Sequence, residues 1–302
     1  MASHVLTPRS CSTGSIGDAL AREFHARGFR VFAASRKLET MEELAKEGIE
    51  TLVLDITSDE SIASAKDEIA KRTGGSLDIL VNNAGVAYSS SVADSDMAKV
   101  RWLFDVNVLG HYSTTKTFIP LLIKSKRGLV MFNSSLASVV PLPYNAPYNA
   151  AKAALNAIGD TLRVELAPFG VKVVNLLTGN VESNLAATHH PKDYLPKDSI
   201  YKPVEDIYQK NIDHFQDGAI PTAVYAKRVV DEATKKSPTP WVWAGNQATM
   251  VWFLSTFGPR TAFVSFRFSG VTIFVLTSSQ DGMFAKNYGL DKLAEIVRGK
   301  RA

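Results

Sequence analysis

The chain has 302 residues, 45% apolar and 21% charged, the balance of a soluble globular protein and not of a disordered or collagen-like one. Its 34 basic residues against 30 acidic ones leave a charge of +4, too small and too dispersed to imply nucleic acid. The single cysteine, Cys11, excludes an internal disulfide and a cysteine-rich metal site, so a reducing compartment is expected and no metal is.

Short β-branched apolar runs at 30–35, 51–56, 77–82, 128–133 and 171–177 alternate with helical spacing at 18–27, 40–47, 59–72, 96–126 and 148–168. Continuous runs of this length suit strands buried on both faces. Asp59 reads as the N-cap of the third helix and Gly170 as the stop after the fifth. The alternation predicts an α/β fold with a doubly wound parallel sheet, which binds ligands beyond the carboxyl ends of its strands.

The residues at those ends therefore matter most. Ahead of the first helix stands Ser10-Cys-Ser-Thr-Gly14-Ser-Ile-Gly17, small residues whose N–H groups could approach a pyrophosphate at the helix N-terminus. An ordinary loop fits the same two glycines. After the second run, Arg36 and Lys37 stand where a fold that prefers NAD carries a carboxylate. Two cations there point to a ribose 2′-phosphate, hence NADP(H), although a solvated surface pair fits as well. Asp55 follows the third run as a candidate for the adenine edge, and Asn83-Ala84-Gly85 makes a small-residue turn beside the cofactor.

Three Tyr-x-x-x-Lys pairs occur: Tyr112/Lys116, Tyr148/Lys152 and Tyr288/Lys292. The spacing puts phenol and ammonium on one helical face, where the cation is expected to lower the tyrosine pKa from about 10. Position separates them. Tyr148 opens a helix just after the fourth run, and Ser135 lies thirteen residues earlier at the end of that run, whereas Tyr112 and Tyr288 have Lys99 and Val275 at the same offset.

With these residues in place the chain resembles a classical short-chain dehydrogenase/reductase. The matching pieces are NNAG at 82–85, DVNVLG around Asn107, NSS ending at Ser135, YNAAK at 148–152 and TGNVES at 178–183. The resemblance implies a Rossmann-like fold and hydride transfer without a metal. It implies that Tyr148 donates a proton, Lys152 binds the nicotinamide ribose and lowers the tyrosine pKa, Ser135 orients the carbonyl, and Asn107 holds a water in the proton relay. It further implies cofactor contacts at Thr13, Ile16 and Gly17, at Thr178, Gly179 and Val181 along the carboxamide, and at Ser183 near the phosphates. The stretches around Tyr148 and at 241–260 resemble the NADPH-dependent 1-acyldihydroxyacetone-phosphate reductase group, which reduces a ketone in a lipid precursor.

Two stretches depart from the family. Arg9 and Ser10 stand where it has Thr-Gly, and Pro8 is expected to interrupt the only candidate first strand, 5–7. In the tail, 263–280 reads as an insertion. Tyr194, Tyr201, Tyr208 and Phe215 recur every seven residues in the segment 184–218, a stripe that could roof an apolar substrate or equally pack as core, with Pro191, Pro196 and Pro203 against one continuous helix, while His189-His190 reads as surface loop. The expected organisation is a catalytic domain over 1–240 and an apolar appendage over 241–302.

The sequence thus predicts an NADPH-dependent reductase of a small-molecule ketone, either a lipid precursor or a polyketide or terpenoid ketone. A noncatalytic binding protein with a damaged phosphate loop is the alternative. No secretory signal is read at the start, so a cytoplasmic location is expected. The Trp-rich segment 241–257 adds expected contact with the endoplasmic reticulum or lipid droplets, or burial in a homo-oligomer interface.

Overall fold

The structure, a computed structural model, describes residues 3–7, 12–184, 195–213, 217–258 and 289–299. Its centre is a parallel sheet of β1 (His4–Thr7), β2 (Arg30–Ser35), β3 (Glu50–Val53), β4 (Ile79–Asn82), β5 (Leu129–Asn133), β6 (Lys172–Thr178) and β7 (Trp241–Ala244). The order is β3-β2-β1-β4-β5-β6-β7, every neighbouring pair parallel. The chain winds outward from β1 to β3, then returns to place β4 against β1. That reversal opens a crevice at the carboxyl ends of β1 and β4, where such sheets bind ligands.

The β-branched runs become strands because both faces are covered. On one face α1 (Ile16–Ala26), α2 (Glu42–Lys46) and α8 (Thr222–Ala233) bury Leu20, Phe24, Leu44, Val229 and Val230 against Val5, Val31, Val81 and Val174. On the other, α3 (Asp59–Thr73), α5 (Gly110–Lys124) and α6 (Ala146–Leu166) bury Ile62, Phe118 and Leu155 against Phe32, Leu80, Val130 and Phe132. Each such fully buried side chain contributes about 1.5–3 kcal/mol. The other helices are α4 (Met97–Phe104), α7 (Glu205–Asp213), α9 (Ala248–Phe257) and α10 (Leu290–Gly299).

Several expectations change. The first strand does form: β1 lies in the middle of the sheet and its last pair is Thr7 with Ala33, and Pro8 lies outside the described residues. Residues 8–11, with Arg9, Ser10 and Cys11, lie outside the described residues. The N-cap of α3 is Ser58, whose hydroxyl accepts the Ser61 N–H, and Asp59 is the first helical residue. The helix expected over 96–126 is three pieces, α4, a π-helical turn Asp105–Leu109 and α5. Residue 240 is no boundary of the sheet, since β7 follows it and pairs with β6 from Asn175↔Trp241 to Thr178↔Ala244. The insertion at 263–280, His189-His190, Tyr194, Phe215 and Tyr288 lie outside the described residues.

Candidate active site

At the β1–α1 end, Gly14 sits at φ +80°, a left-handed conformation that suits glycine. Its N–H donates to Asp18 Oδ2 at 3.1 Å, and Asp18 pairs with Arg22 at 3.1 Å. Ser15 caps α1 by accepting the Asp18 N–H at 3.1 Å. Thr13 is exposed and its carbonyl accepts from Asn184 Nδ2 at 3.0 Å, so the chain leaving β6 folds back onto this loop. Ile16 is half-buried against the core and Gly17 is buried.

Beyond β2, Arg36 and Lys37 are exposed and enter no ion pair among the described residues. Thr40 holds the turn by donating to the Lys37 carbonyl at 2.7 Å. Asp55 Oδ1 accepts the Thr57 N–H at 3.0 Å and its hydroxyl at 2.7 Å, so half of that carboxylate shapes its own turn. A glycine cradle at the head of α1 and two unpaired cations after β2 fit a dinucleotide carrying a 2′-phosphate.

The second end lies where β5 meets α6. Ser135 accepts the Ala137 N–H at 3.1 Å, and its hydroxyl is near enough to the Tyr148 phenol to draw that group's pKa down. Tyr148 and Lys152 lie one turn apart on α6, and the Lys152 ammonium is 5.7 Å from the phenol ring centre. Lys152 is buried, donates to the Asn133 carbonyl at 2.8 Å, and has its own carbonyl held by Ser134 Oγ at 3.1 Å. Burial lowers the lysine pKa to about 8.

The tyrosine pKa is not lowered as expected. Burial pushes the phenol up to about 12, with the Ser135 hydroxyl pulling the other way. The reason is geometric: the ammonium points at the Asn133 carbonyl and not at the phenol oxygen, so desolvation prevails.

Asn107, fully buried in the π-helical turn, spends both side-chain atoms on one peptide. Its Nδ2 donates to the Val86 carbonyl at 2.7 Å and its Oδ1 accepts the Val86 N–H at 2.8 Å. The side chain is therefore spent on fixing the turn after β4. A Cβ on Gly85 in that turn would stand 3.9 Å from Asn107 Oδ1 and Lys152 Nζ, so the turn passes close to both groups.

Serine, tyrosine and lysine thus converge at the crevice, with the glycine-bearing turn before α1 and the Arg36–Lys37 pair at its other end. A family model described as short chain dehydrogenase matches residues 11–193. The chain belongs to the short-chain dehydrogenase family. It is 40% identical over 253 residues to the short-chain dehydrogenase srdE of Neurospora crassa, covering 84% of this chain and 87% of that one. It is 39% identical over 247 residues to an NADPH-dependent 1-acyldihydroxyacetone phosphate reductase of Schizosaccharomyces pombe, covering 78% and 83%. Among solved structures, a short-chain dehydrogenase from Streptomyces avermitilis superposes with a TM-score of 0.72 at 25% identity, over 83% of this chain and 90% of that one. The protein is an oxidoreductase acting on CH–OH groups.

In this short-chain dehydrogenase a separate hydrophobic cluster joins Tyr144, Leu195, Tyr201, Tyr208 and Leu290. Tyr144 takes φ +58° and packs edge-on against Tyr201 at 5.2 Å and Tyr208 at 4.5 Å. Two of the four aromatics spaced by seven are therefore packed into a cluster and are not an exposed stripe. Tyr112 and Lys116 lie exposed on α5, away from the crevice.

Val181 is buried and bridges to Ile220, and Ser183 is half-exposed beside Asn184. Gly179 has no room for a side chain, since a Cβ would fall 2.1 Å from the Asn246 carbonyl oxygen. Trp252, Phe253 and Phe257 are exposed on α9. No described helix is long and apolar enough to cross a membrane, and no three His, Cys, Asp or Glu side chains gather as a metal set among the described residues.

Sequence reasoning missed Tyr225, fully buried on α8, and gave Asn133 and Asn184 no role. Tyr225 reaches Thr178 and Asn133 beneath the catalytic end. Its one signal is a phenol on the otherwise apolar face of α8, which does not by itself name a partner.

Proposed function

We propose that this oxidoreductase reduces a ketone to an alcohol with NADPH. The observation that carries the reading is the meeting of Ser135 and Tyr148 one helical turn from the buried Lys152, whose ammonium lies 5.7 Å from the phenol ring centre. When bound, the cofactor supplies hydride to the carbonyl carbon. Ser135 and Tyr148 hold the carbonyl oxygen between two hydroxyls, where negative charge develops. Tyr148 gives that oxygen its proton, since a phenol near 12 stays protonated until the more basic alkoxide forms beside it. Lys152, charged below about pH 8, steadies the phenolate left behind.

Arg36 and Lys37 support NADPH over NADH, as does the NADPH dependence of the Schizosaccharomyces pombe relative. That relative supports a lipid-precursor ketone such as 1-acyldihydroxyacetone phosphate. A polyketide or terpenoid ketone is the second substrate class, and a ketone panel with NADPH separates the two. The exposed aromatics of α9 support contact with a lipid surface, which vesicle co-sedimentation tests: a protein left wholly in the supernatant refutes it.

The direct test of the chemistry is Tyr148→Phe. It is expected to lower kcat by about 10³ while leaving NADPH affinity within about threefold. Unchanged turnover overturns the assignment.

A further inference from the structure

Beneath the catalytic end lies a chain of polar groups, buried except for the half-buried Thr178, that the mechanism above does not use. Tyr225 Oη is 2.6 Å from Thr178 Oγ1, Thr178 Oγ1 is 2.5 Å from Asn133 Oδ1, and Tyr225 Oη is 3.2 Å from the same Asn133 oxygen. Two hydroxyl protons must serve these three contacts. The two short ones define a relay in which Tyr225 donates to Thr178 and Thr178 donates to Asn133. That leaves Asn133 Nδ2 to donate to Asn83 Oδ1 at 2.6 Å. Orientation thus runs in one direction, from α8 through the end of β6 to the end of β5 and the turn after β4.

Both outputs of the relay belong to the active site. The main-chain carbonyl of Asn133 accepts from Lys152 Nζ, and Asn83 opens the turn that carries Gly85 past Lys152. Tyr225 comes from an element well separated in sequence from these motifs. Its helix begins just after Ile220, whose carbonyl accepts the Glu182 N–H at 2.9 Å, so the relay is anchored where the chain returns from the substrate segment. Satisfied buried networks of this kind fix one geometry, and a missing member leaves a polar atom unpaired in a low-dielectric site.

We propose that Tyr225 is a positioning residue of the active site: through Thr178 its hydroxyl fixes Asn133, and so the carbonyl that holds Lys152 and the turn carried by Asn83. The role rests on Lys152 being a working group of the reductase, so its test has a readout independent of turnover. Tyr225→Phe and Thr178→Val remove the hydroxyls with little change of shape, and Thr178→Ser returns one.

The first measurement follows the Lys152 side chain by NMR through a pH titration of the cofactor-free protein, with Lys152→Arg assigning the signal. Wild type is expected to titrate near 8. The Tyr225→Phe/Thr178→Val double variant is expected to titrate lower by roughly one unit, because a less fixed carbonyl stabilises the ammonium less. Thr178→Ser is expected to restore most of the shift that Thr178→Val produces. If the double variant is poorly folded, Tyr225→Phe alone is expected to move the titration in the same direction by a smaller step.

The second measurement is kcat, expected to fall about tenfold in the double variant and by a smaller factor in Tyr225→Phe alone, the single variant keeping the NADPH KM within about twofold. An unchanged Lys152 titration in folded variants that lose only thermal stability overturns the proposal. A wild-type protein that reduces no ketone would count against the reductase reading alone, because the titration is read without substrate.

Discussion

Where β5 meets α6, the polar groups that face the crevice are held by partners before anything binds: Ser135 by Ala137, Lys152 by Asn133, Asn133 by Thr178 and Asn83. Where β1 and β2 end, Gly14 gives its N–H to Asp18, Thr13 is held by one side-chain amide, and Arg36 and Lys37 stand exposed without an ion pair among the described residues. The two ends of one crevice are built to different standards of order. Stabilising charge at a reacting oxygen requires donors whose reorganisation is complete before reaction. Holding a phosphate does not, because the ligand's charge draws exposed cations into place as it binds. The catalytic end should therefore lose rate when altered, and the cofactor end should lose affinity.

The largest effect expected beyond Tyr148→Phe is on Lys152. Lys152→Met should lower kcat by roughly 10²–10³. It should also flatten the pH profile. With the ammonium titrating near 8, wild-type turnover is expected to fall about tenfold per unit as pH rises beyond that value, while Tyr148 keeps its proton. Turnover that stays level from pH 7 to 10 would show that the lysine charge is not needed.

Stability should move in the opposite sense. The lysine pKa is lower folded than its ordinary 10.5, so the unfolded chain binds more protons between about 8 and 10.5. Lys152 therefore makes stability rise with pH across that window, a contribution absent from Lys152→Met and measurable by denaturant titration.

At the other end, Arg36→Ala combined with Lys37→Ala should weaken NADPH binding by about ten- to a hundredfold and leave NADH binding unchanged. Equal losses for both cofactors would remove the two residues from the 2′-phosphate. The smallest effect expected is from Asn184→Ala, which frees the Thr13 carbonyl and should raise the NADPH Kd by about two- to threefold with kcat unaltered. A fall in kcat instead would mean that the two ends are not separable.

The same contrast governs what could be read from the sequence. Parallel strands between helices announce themselves as continuous β-branched runs, and five strands were legible on that ground. The Ser135, Tyr148 and Lys152 spacing was legible because helix and strand geometry fix it locally. Trp241–Ala244 was not read as a strand: its alternating Trp and its neighbouring Gly245-Asn246-Gln247 resemble an amphipathic segment, and only the edge of β6 gives it a ladder. β1 was legible only as the short candidate 5–7, because the strand is four residues long and offers too brief an apolar run.

The phenol's high pKa and the Tyr225 relay were illegible for a common reason. Both depend on which atom a buried side chain points at, and that is decided by packing between elements distant in sequence. Lys152 looks, by spacing, like the partner of Tyr148, but its ammonium is taken by Asn133.

The account's central claim is most directly tested by one assay on one preparation: NADPH binding by fluorescence, followed by NADPH oxidation against a ketone panel that includes acyldihydroxyacetone phosphate, with the alcohol product quantified. The account predicts saturable binding and alcohol formed in equal amount to NADPH consumed, with NADH much less effective. Failure to bind NADPH at millimolar concentration, or binding with no ketone reduced across the panel, would contradict it.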